Sequence, residues 1–558
     1  MIIPEILFIS PPDTQTREFR GAQPLGIAYL AAALRQHSGI TSELLDANVG
    51  GPMPFETLVN RVIDFVAVSK AAGGHPIIGI SAVTQVISTA AAVADLIKVD
   101  HPDVLVILGG YHPTFAHREI LQDFPSVDLA VRGEGEETIL EIVRQWQSFW
   151  SSPQRSQIRD IDWGQILGVT WRSGNEILAN PSRPNLTNLD AVPFPARDLL
   201  PPLNAYSSYA DGVAGKMRLK ASIVSSRGCP FHCNFCSIIT FYGDAGGKSW
   251  RGRSVENVVA EMVELYDRHG ASHFEFQDDN FFVRPDRALG IVESFVRTGR
   301  DFSFAFLTRA DQIVKGERYF PALRQAGLRY VSVGIESGSD ASLARMVKQS
   351  SVDVNRRALQ ILHDNDVAAQ VEFIMFEPGS TLADLQANLR FIEEQGLFGY
   401  FPPLIFSNLL LLTGTPIREQ IEREQGLMGS IHETLPYHFE DPRVAEVFTV
   451  LGQFQRHLGD AWFRLAFELL DGIPALEIRT HELNGNGANT VFRHQMGRYK
   501  LEFFALTRLP YNLLRQALQL AVDNHPVSAE ALLSRAEAEF AEITMRLRDI
   551  QQTIPHGT

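Results

Sequence analysis

The chain is poor in cysteine and lacks a long basic run, and each shortage excludes a class of protein. Its 558 residues contain three cysteines, and so small an odd number cannot form a disulfide framework. Lys and Arg together number 50 against 65 for Asp and Glu, a formal charge of −15. Because neutralised phosphates supply most of the affinity for nucleic acid, we expect no nucleic-acid partner.

Long apolar runs are missing at the start of the chain as well. The first residues, MIIPEILFIS, have no basic n-region, and their apolar run is too short for a signal peptide or a membrane span. We therefore expect a cytoplasmic protein with no membrane span. The composition, 45% hydrophobic and 21% charged, is typical of a globular protein, and the length suggests about three domains.

Residues 1–150 alternate short apolar runs with helical patterns, which predicts a doubly wound parallel sheet of the Rossmann-like type. The predicted strands are Ile6–Ile9, Ser42–Leu45, Ile77–Ile80, Val104–Leu108 and Leu129–Val131, and the predicted helices are Pro24–Gln36 and Thr89–Ile97. Residues 151–215 are rich in proline, serine and arginine and predict a linker with a small β-hairpin.

Residues 216–415 repeat strand and helix patterns, which predicts a partial (β/α) barrel with its active site at the carboxyl ends of the strands. The predicted strands are Ser222–Ser225, His273–Gln277, Ser303–Leu307, Tyr330–Val333, Gln370–Met375 and Leu404–Asn408. Residues 416–558 keep apolar residues at helical spacing and predict a helical C-terminal domain. The fold class is thus α/β with a helical extension.

All three cysteines fall in one segment, SSRGCPFHCNFCSI, as Cys229, Cys233 and Cys236. Three thiolates on one loop can hold three irons of a [4Fe-4S] cube and leave the fourth iron open to a ligand. A zinc loop is the alternative, but zinc requires four ligands in a closed tetrahedron. His232, between the cysteines, does not stand at a usual ligand spacing.

The Cys-x3-Cys-x2-Cys spacing resembles that of the radical S-adenosylmethionine (SAM) superfamily, in which the open iron binds the amino and carboxylate groups of SAM. Further motifs follow in the order of the family: FQDDNFF, LTRAD, GIESGS and EPGST. The resemblance implies SAM contacts from Phe235, Gln277, Asp278, Arg309, Glu336, Ser337, Pro378 and Gly379. An acidic turn, a helix cap in PGST and a pairing of Arg309 with Asp311 remain open as ordinary structural alternatives.

The N-terminal motifs SPP, PLGIAYLAAAL, GISAVTQ, GGYHPT and RGEGEET resemble the B12-binding domain of one radical SAM subgroup. Glycines at strand ends let a corrin ring and its nucleotide tail approach the backbone closely. The resemblance implies cobalamin contacts from Ser81, Thr84, Gln85, Gly109, Gly110, His112, Gly133, Glu134, Gly135 and Glu136.

One departure concerns the lower face of cobalt. B12 mutases carry Asp-x-His-x-x-Gly after the first strand, whereas the loop after Ile9 has no histidine and Asn48 follows the second strand. We therefore expect no protein histidine on cobalt. His112 is interpreted as a structural loop residue.

The resemblance implies an enzyme with three cofactors: a [4Fe-4S] cluster, SAM and cobalamin. The leading hypothesis is a C-methyltransferase that acts on an unactivated carbon of a small-molecule or natural-product substrate, through a 5'-deoxyadenosyl radical and methylcobalamin. An external electron donor of the flavodoxin or ferredoxin type would be its partner. The alternatives are an oxidative cyclase or ring-rearranging enzyme, similar to the anaerobic porphyrin-ester cyclases, and a non-enzymatic cobalamin-binding sensor.

The cysteine count yields a direct prediction. Protein reconstituted without oxygen should hold about four irons and four sulfides per chain, because the loop supplies every thiol that the chain has. The triple variant Cys229→Ala, Cys233→Ala, Cys236→Ala should lose them, as measured by iron and sulfide analysis. Full retention of iron in that variant would contradict the assignment.

Overall fold

The computed structural model describes most of the chain. It covers residues 5–13, 22–153, 158, 161–243, 249–399, 404–426, 429–434, 436–466, 468–469 and 488–553. Within these residues no helix is both long and apolar enough to cross a membrane.

Strands and helices alternate through the first two thirds of the chain, and helices make up the last third. The strands are β1 Ile6–Ser10, β2 Ser42–Asp46, β3 Ile77–Ser81, β4 Leu105–Gly109, β5 Leu129–Val131, β6 Val169–Ser173, β7 Glu176–Ala179, β8 Ser208–Asp211, β9 Lys216–Ile223, β10 Ser226–Gly228, β11 Trp250–Gly252, β12 Ala271–Phe276, β13 Ser303–Arg309, β14 Leu328–Glu336 and β15 Ala368–Phe373.

The α-helices, in chain order, are α1 Leu25–Ser38, α2 Phe55–Ala71, α3 Ile87–Asp100, α4 Tyr111–Phe115, α5 His117–Asp123, α6 Glu136–Ser151, α7 Ile238–Gly243, α8 Val255–His269, α9 Pro285–Val296, α10 Ala310–Lys315, α11 Phe320–Gln325, α12 Asp340–Arg345, α13 Val352–Asp364, α14 Leu382–Glu394, α15 Pro416–Gln425, α16 Pro442–His457, α17 Ala488–Val522 and α18 Ala529–Thr553.

The chain divides into two compact units. The first comprises Met1–Ser208, Leu219–Phe302 and Leu410–Pro436, and the second comprises Tyr209–Arg218, Ser303–Leu409 and Tyr437–Thr558. The division does not follow the four predicted domain ranges, which stay a prediction.

The first unit contains a seven-stranded sheet in the order β2-β1-β3-β4-β5-β6-β7. The strands β1 to β5 are parallel, and the hairpin β6–β7 continues the sheet antiparallel beyond β5. Apolar side chains from α1 and α6 cover one face, and those from α2 and α3 cover the other. The strand order reverses between β1 and β3. The carboxyl ends of these two strands therefore form a topological switch point, where α/β sheets bind ligands.

The same unit carries the cysteine segment on a second set of strands. β9 pairs in parallel with β12, and the short strands β10 and β11 form an antiparallel pair that brackets residues 229–249. Ser254 caps α8 through its side chain, and Gly270 ends that helix in the left-handed conformation, so the chain turns directly into β12.

The second unit contains the parallel strands β13, β14 and β15 together with the C-terminal helices. Thr381 and Asp384 form a capping box at the start of α14, which satisfies two backbone N–H groups that a helix start leaves without partners. The predicted α/β class, with a parallel sheet, half-barrel strands and a helical C-terminal part, is confirmed.

Two local interpretations were incomplete or wrong. The helix α2 was not predicted, although Leu58, Val62, Phe65 and Val66 have helical spacing and are buried. The strand predicted at Leu404–Asn408 is wrong: the structure has a 3₁₀ turn at Leu404–Phe406 and a single bridge from Asn408. A short apolar run of this kind signals burial but does not by itself distinguish a strand from other buried backbone.

A buried ion triplet in the second unit gives a stability prediction. Asp211 is fully buried, and it accepts hydrogen bonds from Arg218 Nε at 2.7 Å and Arg329 Nε at 2.9 Å. Burial alone would raise the pKa of Asp211, but the hydrogen bonds from Arg329 and Arg218 lower it to about 2.

Asp211→Asn should lower the stability by about 3–5 kcal/mol, because two buried guanidinium groups lose their counter-charge. The measurement is the midpoint of thermal unfolding near neutral pH. Glu317→Gln, which breaks an exposed pair with Arg357, is the control and should cost less than about 1 kcal/mol. Equal losses of stability in the two variants would show that the buried triplet contributes no more to stability than an exposed ion pair.

Candidate functional site

The cysteine loop begins where β10 ends. Gly228 has a φ of 87°, and a Cβ atom there would lie 2.0 Å from the carbonyl oxygen of Ser249. Only glycine fits this close approach of the two ends of the loop. Within the loop, the N–H of Cys236 donates to the carbonyl of Cys233 at 3.1 Å, which makes a tight turn between two of the thiols.

The thiols are partly shielded from solvent, with Cys233 buried and Cys229 and Cys236 half-buried. Burial, together with the nearby thiols, raises the pKa of Cys236 to about 12. A thiol in such a place becomes a thiolate when a metal supplies the positive charge. Three thiols on one short loop fit a [4Fe-4S] cluster, in which each thiolate binds its own iron.

Three consecutive polar residues after β12 have three different partners. Asp278 is buried and accepts hydrogen bonds from the N–H of Ser225 at 2.7 Å, the hydroxyl of Ser225 at 2.6 Å and the hydroxyl of Ser226. The carboxylate of Asp279 accepts from the N–H of Gly228 at 2.7 Å. The side-chain amide of Asn280 donates to Cys229 Sγ at 3.8 Å. All three hold the base of the cysteine loop.

A cavity of about 420 Å³ lies at the carboxyl ends of β3, β4 and β5, within the first unit. Its size is that of a small-molecule or cofactor site. Eight predicted cofactor residues share its wall: Ser81, Gly109, Gly110, Gly133, Glu134, Gly135, Glu136 and Gln277. Residues that flank the cysteine loop, Ser226, Arg227 and Asp279, line the same cavity.

The glycines of the cavity allow close approach to the backbone. Gly110 has a φ of 104°, and a Cβ atom there would lie 2.9 Å from the carbonyl oxygen of Ala82. Gly133 has a φ of 70° and faces open space. Bare backbone beside apolar side chains such as Leu25 and Ile107 fits a cobalamin tail, as the glycine-rich strand ends predict.

The two glutamates of the GEGE turn do not present free carboxylates. Glu134 accepts hydrogen bonds from Arg227 and Arg251, each at 2.8 Å, and Glu136 accepts from Arg227 at 2.5 Å. Their predicted contacts with cobalamin stay a prediction. Both arginines lie in the two short strands around the cysteine loop, and nothing in the sequence indicates that their partners lie 91 to 117 residues away.

His112 lies in a chain of side chains within hydrogen-bonding distance of one another. Its ring nitrogens lie 3.0 Å from Thr84 Oγ1 and 3.0 Å from His432 Nδ1, and His432 Nε2 lies 3.1 Å from Asp123. His112 is 1% exposed. These contacts agree with the interpretation of His112 as a structural residue, and they give Thr84 a protein partner. Gln85 lies in the same short 3₁₀ turn as Thr84.

Phe235 is half-buried on the cysteine loop. The predicted SAM residues Arg309, Glu336, Ser337, Pro378 and Gly379 belong to the second unit, where each has a protein partner. Glu336 has a φ of 62°, and its carboxylate accepts from Lys348 Nζ at 2.6 Å. Arg309 donates to Asp311 at 2.7 Å, which is the structural alternative for this residue.

The remaining three predicted SAM positions in this unit are held by helix α14 and the EPGST turn. Ser337 donates from its hydroxyl to Asn388 at 2.8 Å. Gly379 donates its N–H to Glu377 at 2.8 Å, and the carbonyl of Pro378 accepts from the N–H of Glu440 at 3.1 Å. Glu377 also pairs with Arg345. The SAM contacts of all these residues stay predictions.

A doubly wound sheet with a glycine-lined cavity, joined to a three-cysteine loop on a second α/β framework, defines a protein with both a corrin site and a radical SAM cluster. Comparison with known proteins agrees. A B12 binding domain matches residues 21–143, and the radical SAM superfamily matches residues 223–392.

Relatives and solved structures extend this match over most of the chain. An uncharacterized methyltransferase of Pyrococcus horikoshii is 31% identical over 402 residues, which span 71% of this chain and 79% of that protein. The anaerobic magnesium-protoporphyrin IX monomethyl ester cyclase of Rubrivivax gelatinosus is 26% identical over 399 residues, spanning 71% and 67%.

In fold, the chain is similar to the cobalamin-dependent S-adenosylmethionine radical enzyme OxsB, solved with aqua-cobalamin and SAM bound. The TM-score is 0.70 at 19% identity, with 99% of this chain and 81% of that chain covered. The chain therefore belongs to the cobalamin-dependent radical SAM enzymes. Its cofactors are cobalamin, SAM and a [4Fe-4S] cluster.

The buried histidine pair generates a pH prediction. Burial, with further contributions from His432 and Arg418, lowers the pKa of His112 to about 3, whereas an unfolded histidine titrates near 6.5. The unfolded chain therefore binds more protons between these values, so the stability that His112 contributes is complete above about pH 6.5 and is lost as the pH falls toward 3.

In His112→Asn the midpoint of thermal unfolding should fall less between pH 7 and pH 5 than in the wild type. Differential scanning calorimetry of the cobalamin-free protein measures the two profiles. His363→Asn, which removes an exposed imidazole, should keep the wild-type profile. Parallel profiles for wild type and His112→Asn would contradict the assignment.

Proposed function

We propose that the enzyme is a C-methyltransferase that acts on an unactivated carbon of a small-molecule substrate. The observation that carries the proposal is the shared cavity, whose wall combines the corrin-site glycines with Ser226, Arg227 and Asp279 beside the cysteine loop. Two cofactors that adjoin one cavity suit a reaction that needs both. The methyltransferase name of the Pyrococcus horikoshii relative supports the same conclusion.

The chemistry that an unactivated carbon demands belongs to the cofactors. When bound, cobalamin supplies a methyl carrier, and the cluster with SAM supplies a radical that abstracts hydrogen. The three cysteines are the complete thiol content of the chain, so no cysteine is left to carry a methyl group once the cluster is bound.

The residues of this chain bind and orient the cofactors and exclude water from the site. Cys229, Cys233 and Cys236 hold the cluster. Asp279 and Asn280 fix the loop through Gly228 and Cys229, so that the thiols are preorganised. Apolar side chains along the cavity keep water from the reacting groups, as a radical reaction requires.

The remaining predicted residues complete the proposed sites. Phe235, Gln277, Asp278, Arg309, Glu336, Ser337, Pro378 and Gly379 are proposed for SAM, and Ser81, Thr84, Gln85, Gly109, Gly110, His112, Gly133, Glu134, Gly135 and Glu136 for cobalamin or the wall around it. The domain ranges 1–150, 151–215, 216–415 and 416–558 are proposed with them.

The proposed partner is an electron donor of the flavodoxin or ferredoxin type. Pro230 and His232 of the cysteine loop are exposed, which gives such a donor access to the cluster. A reducing, cytoplasmic setting suits a protein whose three cysteines form no disulfide. The net charge of −15 disfavours nucleic acid as a substrate.

A second candidate reaction is oxidative cyclisation. The similarity to the Rubrivivax gelatinosus cyclase, which covers 71% of this chain, favours it. The two candidates differ in one product, because methyl transfer releases S-adenosylhomocysteine and radical cyclisation does not.

A test without the substrate separates methyl transfer from oxidative cyclisation. Reduced holoenzyme given SAM should release both S-adenosylhomocysteine and 5'-deoxyadenosine, measured by liquid chromatography and mass spectrometry. Omission of cobalamin should abolish the first product alone, and the triple cysteine-to-alanine variant should abolish the second alone, because each product depends on one cofactor.

With a substrate in hand, the two products should appear in about equal amounts, and methyl-labelled SAM should pass its label to the substrate carbon. Release of 5'-deoxyadenosine without S-adenosylhomocysteine or label would reject the methyltransferase and favour the cyclase.

A further inference from the structure

Two arginines stand directly opposite each other on the hairpin that carries the cysteine loop. β10 and β11 are antiparallel, and Arg227 pairs in register with Arg251. Their side chains are 12% and 4% exposed. Like charges in this position repel each other, and burial strengthens the repulsion. The hairpin therefore requires an anion between the two guanidinium groups.

Glu134 supplies that anion from a distant part of the sequence. Its Oε1 accepts from Arg227 and its Oε2 accepts from Arg251, each at 2.8 Å, while Oε2 also accepts from the N–H of Leu186 at 2.6 Å. The Glu134 side chain is 4% exposed. Among the described residues, Nε and Nη2 of Arg251 have no acceptor, and Glu134 is the one carboxylate paired with this arginine.

The second glutamate of the turn completes a neutral group of four charges. Glu136 accepts from Arg227 at 2.5 Å, and its side chain is 10% exposed. Arg227 also lies over the ring of Tyr29, 5.3 Å from its centroid. Both glutamates, Arg227 and Tyr29 line the cavity, so the ion group forms part of the cavity wall.

This arrangement connects the two cofactor sites through one carboxylate. Gly133 and Gly135, on either side of Glu134, line the cavity at the corrin side. Arg227 is two residues before Cys229, and Arg251 follows the other end of the loop. A ligand that presses on the turn at 133–136 therefore acts on both strands at the base of the loop.

We propose that Glu134 is a positioning residue that couples the cobalamin site to the cluster loop, so that occupancy of one site changes the affinity of the other. The inference rests on the cofactors of the family and not on the methyl-transfer product. Since coupling between two binding equilibria is reciprocal, cobalamin and SAM must strengthen each other by the same factor.

The test uses the full chain with its cluster reconstituted and without reductant, so that SAM stays intact. Isothermal titration gives the Kd of SAM with and without saturating hydroxocobalamin, and the Kd of hydroxocobalamin with and without SAM. In the wild type we expect both ratios to be about tenfold. In Glu134→Gln both ratios should approach one.

The absorption spectrum of bound hydroxocobalamin, recorded without reductant, provides a second readout. In the wild type, addition of SAM should change this spectrum, and in Glu134→Gln it should leave the spectrum unchanged. The matched control is Glu137→Gln. Glu137 lies three residues after Glu134, in the first turn of α6, but it pairs with Arg183 at 3.1 Å, so this variant should keep the wild-type ratios.

A second variant separates coupling from charge balance. Glu134→Gln with Arg251→Gln restores neutrality and should recover thermal stability lost in Glu134→Gln, while the ratios stay near one. Three results would overturn the inference: wild-type ratios of one, retained ratios in Glu134→Gln, or recovered ratios in the double variant. Wild-type ratios of one together with label transfer would reject the coupling and leave the proposed function in place.

Discussion

The contact of Glu134 with Arg227 and Arg251 is the interaction on which the site depends. Two buried guanidinium groups in register on a two-stranded hairpin are stable only with a counter-charge between them. Because the counter-charge comes from the turn that walls the cavity, the corrin-binding and cluster-binding parts of the first unit share one set of contacts. The loop between the two strands is thereby held at its base.

The three polar residues after β12 each contact a different part of the base of the cysteine loop. Asp278 is used to hold Ser225 and Ser226, Asp279 holds the N–H of Gly228, and Asn280 contacts Cys229. Three neighbouring side chains thus organise one loop from three sides. The buried carboxylate of Asp278 accepts three hydrogen bonds from the protein, whereas Asp279 also lines the cavity.

In the second unit, a predicted SAM residue with strained backbone is also held by a protein side chain. Glu336 adopts a φ of 62° at the end of β14, and its carboxylate is held by Lys348. A non-glycine residue in this conformation is retained only where its surroundings determine it. Since such strain collects at ligand sites, the position supports the proposed role of Glu336 toward SAM.

The sequence by itself determined the class of the protein. The three cysteines of the cluster motif lie on one short loop, and the glycines at the strand ends leave backbone accessible to a cofactor that a side chain would block. Both are local signals, so they are readable without the fold. Only the tertiary structure decided the partners of Glu134, Glu136 and His112, because their contacts lie 28 to 320 residues away in the chain. It likewise decided that Asp279 and not Asp278 lines the cavity, since two adjacent carboxylates differ only in the direction in which the backbone turns them.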